Sequence, residues 1–170
     1  MTFMDLARAR YSVRSFDGRP IEPEKLHAVL EAGRVAPTAV NAQPQKIYVA
    51  QSERALAALE TCRHNFGAPV VLVLGYDRAL DWKNPKMPGV HSGETDVAIV
   101  CTHMMMEAWE QGIGSCWVGS FNADEVAAAL HLPESVCITA LLPIGYPAAD
   151  AAPSDRHEKY RPKDELVTYL

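Results

Sequence analysis

Hydrophobic positions along the chain switch several times between helical and strand spacing. Residues 2–9 predict a short helix. Pro20-Ile21-Glu22-Pro23 is a proline-bearing helix start, and Leu26, Val29, Leu30 and Gly33 then line one face of a helix running to Ala36. Pro37 stops it. The stretch Pro37–Pro44 is polar and bounded by prolines, so it reads as a loop. Lys46–Ala50 predicts a strand, and Ser52 caps a helix to about Thr61. Pro69–Tyr76 is an unbroken, β-branched apolar run of the kind found in a central strand buried on both faces. Residues 81–93 hold Pro85, Pro88, Gly89 and Gly93 and predict a mobile loop.

The longest helix is predicted from about Glu94 to Gln111. Val97, Ile99, Val100, Cys101, Met104, Met105, Met106 and Trp109 leave it almost no polar face. A helix apolar all round is either central to a core or packed against a second chain. Gly112–Phe121 then reads as a glycine-rich turn into a short strand. Asn122 or Asp124 caps a helix to Leu130, and Cys137–Tyr146 predicts another buried strand. The tail from Pro153 is charged, and its end, Val167-Thr168-Tyr169-Leu170, predicts a strand added elsewhere.

Composition narrows the class. At 170 residues with no repeat or linker, residues 1–170 are expected to form one domain. A net charge of −5, without any basic block interleaved with aromatics, argues against a nucleic-acid partner. The N-terminus lacks the apolar stretch of a signal peptide, and no apolar run approaches the ~18 residues of a membrane span; a cytoplasmic protein is expected. The four cysteines, Cys62, Cys101, Cys116 and Cys137, include no Cys-x-x-Cys pair, so they read as buried thiols. Cys101 and His103 would point about 200° apart on a helix, and no metal site is expected.

Several chemistries lack their motifs. The glycines at 112 and 114 follow a helix and precede a strand, the reverse of the dinucleotide-binding order, and the third glycine is missing. No P-loop is present, and Ser115 is not in a Gly-x-Ser-x-Gly elbow. Asp124 and Glu125 read as helix-start charges. Three segments remain that share one chemistry. In an extended Arg10–Arg14, alternate side chains point the same way, so Arg10, Ser12 and Arg14 converge as donors suited to a phosphate and a polarisable ring edge. Thr38, Asn41 and Gln43 offer hydroxyl and amide groups, though these types also serve as turn formers. Lys159 and Arg161 supply further cations. Arg63, His64 and Asn65 read as ordinary surface residues.

These segments, Arg-x-Ser-x-Arg-x-Phe, then Ala36-Pro37-Thr38-Ala39-Val40-Asn41-Ala42-Gln43-Pro44, Gly112–Gly119 and a final Lys-x-Arg-Pro, occur in the order of the nitroreductase-like family of FMN-dependent oxidoreductases, and the chain resembles its short members. The resemblance implies an α+β fold with a mixed, mainly antiparallel sheet flanked by helices, in an intertwined homodimer with FMN at the interface. It implies Arg10, Ser12, Lys159 and Arg161 on the flavin phosphate and Arg14 at the pyrimidine edge. Pro37, Thr38, Ala39 and Asn41 would come from the opposite chain, with the backbone of Val118 and Gly119 facing flavin N5. NADH or NADPH would reduce the flavin, which would then pass electrons to a nitroaromatic, quinone or similar acceptor in a ping-pong scheme. No side chain is then needed as a catalytic acid, base or nucleophile, because the flavin carries the chemistry. Trp82, Met87 and His91 of the 81–93 loop would shape the acceptor pocket or merely pack. A flavin carrier or sensor without turnover, reductive dehalogenation and flavin fragmentation are the alternatives left open.

Overall fold

The computed structural model describes residues 2–170. In chain order the elements are α1 (Phe3–Ala9), α2 (Pro23–Val35), β1 (Gln45–Ala50), α3 (Glu53–Cys62), β2 (Val70–Asp77), α4 (Gly93–Glu110), β3 (Gly114–Ser115), α5 (Ala123–Ala129), β4 (Val136–Gly145) and α6 (Lys163–Leu166). The caps follow from the residues at the ends. Thr2 and Asp5 form a reciprocal capping box on α1, Pro23 opens α2, Ser52 accepts from the Ala55 N–H, and Asn122 accepts from two N–H groups of α5.

The four strands form one antiparallel sheet in the order β1-β2-β4-β3. A parallel bridge between Ser12 and Ser115 adds the segment after α1 beside β3, so the whole is a mixed, mainly antiparallel sheet. Its two faces feed two cores. Val70, Leu72, Leu74 and Tyr76 of β2 pack with α2 and α4; Val71 and Val73 pack with α3 and α5. Every one of them is buried, which is why the β2 sequence shows no alternation.

β4 is less regular. Leu74 faces Ala140 while Gly75 faces Ile138, so Thr139 is the extra residue of a bulge. Before it, Val136 and Ile138 face the α3/α5 layer; after it, Ala140, Leu142 and Ile144 face the α2/α4 layer. One inserted residue thus exchanges the two faces. Gly75 makes room for it: a Cβ there would collide with the Cys137 carbonyl oxygen.

α4 is the spine of the molecule. Val97, Val100, Cys101, Met104, Met105 and Ala108 are buried, and burial pushes the Cys101 thiol pKa up. Its opposite face is not closed. Met106, Thr102 and His103 line a groove of about 440 Å³ with Phe3, Leu6 and Val35, and Phe3 and Val35 are largely exposed. No helix among the described residues is long and apolar enough to cross a membrane. Residues 81–92 form a loop closed by Asn84 N–H to Val90 carbonyl (2.8 Å) and Ser92 N–H to Trp82 carbonyl (3.0 Å).

The tail from Pro153 stands apart from the sheet of its own chain. Val167–Leu170 does not join the sheet. Pro162 instead starts the single turn of α6, and Leu166, Val167, Tyr169 and Leu170 are all exposed. The sheet edge beyond β3, where a strand could have added, already carries Ser12.

Gly75→Ala should destabilise the protein by ~1–3 kcal/mol, because the obstacle is backbone and cannot rotate away. Urea denaturation checks this; an unchanged midpoint would mean the bulge is absent or relaxes freely.

Candidate functional site

The sharp chemical feature is a cluster of cations at the C-terminal end of α4. Val13 N–H bonds the Ser115 carbonyl at 2.9 Å, which holds residues 10–14 extended beside β3. The approach is close: a Cβ on Gly114 would lie 2.6 Å from Val13 Cγ2. Val13 is wholly buried, so its neighbours are turned the other way. Arg10, Tyr11, Ser12 and Arg14 then line a cavity of about 220 Å³ with Ser154, Arg156 and His157. Tyr11 fixes both walls. Its ring meets Trp109 of α4 edge-on at 5.2 Å and His157 at 6.1 Å, and its hydroxyl donates to the Ala151 carbonyl.

Cys116, just after β3, reports the field there. Burial pushes its thiol above the ordinary value, while Arg14, the Ser12 hydroxyl, Arg63 and Arg10 all pull it down. Three guanidinium groups therefore lie near one thiol. Among the described residues no carboxylate forms an ion pair with Arg10, Arg14, Arg63 or Arg156. None of the residues lining the cavity is acidic. Arg10 Nε and Arg63 Nε are enclosed without a hydrogen-bond partner, and so is Ser115 Oγ. Buried donors normally find acceptors; here the acceptor would be an anionic ligand. In a chain of net charge −5, such a concentration of unpaired cations is local and specific.

Arg63 and Asn65 correct the sequence reading. Arg63 is half-buried, and Asn65 is 4% exposed with its Oδ1 unpartnered; only His64 of the three is exposed, beside Glu60. The end of α3 and a turn at Phe66, which has a φ of +61°, fold them under the 10–16 segment, where the Phe66 carbonyl accepts from Phe16 N–H. No local spacing announces that contact. Arg156 and His157 also escaped notice, since nothing in the tail distinguishes them from its other polar residues.

The remaining expected site residues fall into three groups. Val118 and Gly119 follow Cys116 on the same stretch; Val118 is buried and bridged to Leu141, whereas Gly119 is exposed. Lys159 and Arg161 are exposed and do not line the cavity; Arg161 pairs with Glu165 at 2.7 Å. Pro37, Thr38, Ala39 and Asn41 stand at the other end of α4. There the Ala39 N–H donates to Asp96 at 2.9 Å, and Thr38 Oγ1 accepts from Gln43 N–H at 3.0 Å. Asp96 and Trp109 are separated by thirteen residues of α4, which at 1.5 Å per residue is about 20 Å. Within one chain the loop and the cation cluster are therefore held apart.

The loop itself is strained. Val40, Asn41 and Gln43 have φ values of +47°, +57° and +50°. Asn tolerates this region, but a β-branched residue there costs about 1–3 kcal/mol. Val40 is also 75% exposed, so the strain is not repaid by packing within the chain.

The model of the Nitroreductase family matches residues 7–65 and 56–146. A nitroreductase family protein from Clostridium difficile 630 superposes with a TM-score of 0.93 at 35% identity, covering 99% of this chain and 98% of that one. An NADH dehydrogenase of Thermus thermophilus is 30% identical, covering 88% of this chain and 89% of its own. An FMN reductase [NAD(P)H] of Bacillus subtilis is 26% identical over 94% of this chain and 74% of its own. With its α+β fold, its Arg10–Arg14 segment bridged to β3 and the Gly112–Gly119 turn all in place, the chain belongs to the nitroreductase family.

Proposed function

We propose that the protein is an FMN-dependent oxidoreductase that takes electrons from NADH or NADPH and passes them to a nitroaromatic, quinone or similar small acceptor. The observation that carries the reading is the set of unpaired arginines with two enclosed, unpartnered Nε atoms. They fit a phosphate-bearing flavin, whose phosphate carries close to two negative charges and takes several donors. The names of the Bacillus subtilis and Thermus thermophilus relatives point the same way. Bound flavin supplies hydride acceptance and release at N5, which side chains cannot do.

The chain's own residues then bind, orient and set the local charge. Arg10 and Ser12, with Arg156 beside them, hold the phosphate. Arg14 faces the pyrimidine edge, where a cation favours negative charge on the ring. Arg63 and Asn65 add donor and acceptor groups on the same side. The backbone at Val118 and Gly119 lies along the ring face; Gly119 has open space where a Cβ would stand, within 4 Å of only the Trp117 indole.

The working unit is a homodimer. About 20 Å of α4 separates Asp96, which holds the Thr38–Asn41 loop, from Trp109 beside the arginine cluster, and a second chain can bring both to one flavin. In a dimer the loop of one protomer meets the cluster of the other. The open apolar groove beside Met106 and the exposed Leu166, Val167, Tyr169 and Leu170 are complementary surfaces for such an exchange. It would also carry Lys159 and Arg161 to a phosphate site that they do not line within a single chain.

The first test is the absorbance of the purified protein before and after NADH or NADPH is added without oxygen. Flavin absorption that bleaches is the expected result. Persistent absorption with both donors would favour a carrier, and a colourless protein unable to take up FMN would overturn the reading. Arg10→Ala should weaken FMN binding by ~1.5–3 kcal/mol, the worth of a hydrogen bond to a charged group; isothermal titration measures it. Arg14→Ala should lower the bound flavin's reduction potential, and an unchanged potential would remove Arg14 from the ring edge. Arg161→Ala should raise the FMN dissociation constant roughly tenfold or more; an unchanged constant would detach the tail from the site.

A further inference from the structure

We propose that Asp96 is a positioning residue: its buried carboxylate holds the strained loop 38–43 in the conformation that meets the flavin. The inference rests on the flavin reading of that loop. Asp96 is 2% exposed in the first turn of α4, where the helix dipole favours a negative charge. One carboxylate oxygen accepts the Ala39 N–H at 2.9 Å, and the other accepts the Ser92 hydroxyl at 2.7 Å. No cation among the described residues forms an ion pair with it. A buried carboxylate is expensive unless hydrogen-bonded, and here its donors are a loop amide and a helix-start hydroxyl.

The loop needs such an anchor. Its internal bonds, Asn41 N–H to Thr38 carbonyl, Ala42 N–H to Ala39 carbonyl and Gln43 N–H to Thr38 Oγ1, close the turn only upon itself. Val40 sits at positive φ with its side chain in the open, so side-chain packing does not enforce the conformation. The Ala39–Asp96 bond is what ties the turn to the spine helix. The anchor's far side is itself fixed: Ser92 N–H donates to the Trp82 carbonyl and to Asp81, whose other oxygen lies 3.0 Å from His91 Nδ1. Asp96 thereby joins the loop at 38–43 to the loop at 81–92.

Two independent measurements decide the matter. In the flavin-free protein, the unfolding equilibrium constant is compared for wild type, Asp96→Ala, Val40→Gly and the double variant. If Asp96 holds a strained turn, breaking its bond lets the wild-type turn relax and recovers part of the loss. The Val40→Gly background has lost the costliest part of that strain, so Asp96→Ala should cost at least threefold more there. Multiplicative effects would overturn the clamp. In the wild type the Ala39 amide should be protected from hydrogen exchange, and free exchange would overturn the clamp even if Asp96→Ala fails to fold.

FMN titration supplies the functional half. Asp96→Ala should raise the FMN dissociation constant at least tenfold. Asp96→Asn, which can still accept from Ala39 and donate to the Ser92 hydroxyl oxygen, should stay within threefold of wild type. Unchanged affinity in Asp96→Ala, or a loss in Asp96→Asn as large as in Asp96→Ala, would overturn the positioning role. A wild type that binds no FMN would sink the flavin reading alone, since the flavin-free cycle and the exchange rate would still decide the clamp.

Discussion

Everything at the site depends on the pairing of residues 10–14 with β3. The Val13 N–H to Ser115 carbonyl bond, made close by Gly114, is a backbone contact, yet it decides where three side chains go. With Val13 locked inside, Tyr11 is aimed at Trp109, while Arg10 and Arg14 reach the field around Cys116. The same pairing occupies the sheet edge, so the C-terminal segment cannot settle there. A single backbone bridge therefore both builds the cation cluster and keeps the tail off that edge.

α4 supplies the second constraint. Its buried face is what unites the β2 and β4 side chains with α2, so its position is fixed by the core rather than by the site. That fixity makes its two ends useful. Asp96 at one end and Trp109 at the other each hold a candidate functional loop, at a distance that a rigid helix cannot shorten. The proposed second protomer answers that helix geometry. The open groove along the helix's middle, at Thr102, His103 and Met106, provides surface for the contact.

Much of this was legible in the sequence because it is local. The helix from Pro23, the β2 run, the Ser52 and Asn122 caps and the convergence of Arg10, Ser12 and Arg14 depend on residues a few positions apart. What was not legible is long-range. The Thr139 bulge reverses the faces of β4, and no composition rule marks it, because both faces are apolar. Arg63 and Asn65 carry the residue types of a surface; only the turn at Phe66, folded under the N-terminal segment, buries Asn65 and brings Arg63 near Cys116. Val167–Leu170 has the residues of a strand, but a strand also needs an edge to pair with, and the edge beside β3 already carries Ser12. The family resemblance pointed to the Thr38–Asn41 loop as a functional segment, yet gave no hint that Asp96 anchors it.

The cation cluster also bears on stability. Arg10 and Arg63 are half-buried with their Nε atoms enclosed and unpartnered, and no acidic residue lines the cavity beside Arg10. The fold tolerates these unmet donors because hydrophobic cores cover both sides of the sheet, while the donors are confined to one end of α4. An anion of matching shape would satisfy the enclosed Nε atoms. A ligand present at a hundred times its dissociation constant adds about 2.7 kcal/mol to folding stability, a large share of what a domain of this size has to spare. The residues proposed to recognise the cofactor thus hold donors that the chain alone leaves unmet, and ligand binding there would add to the stability of the fold.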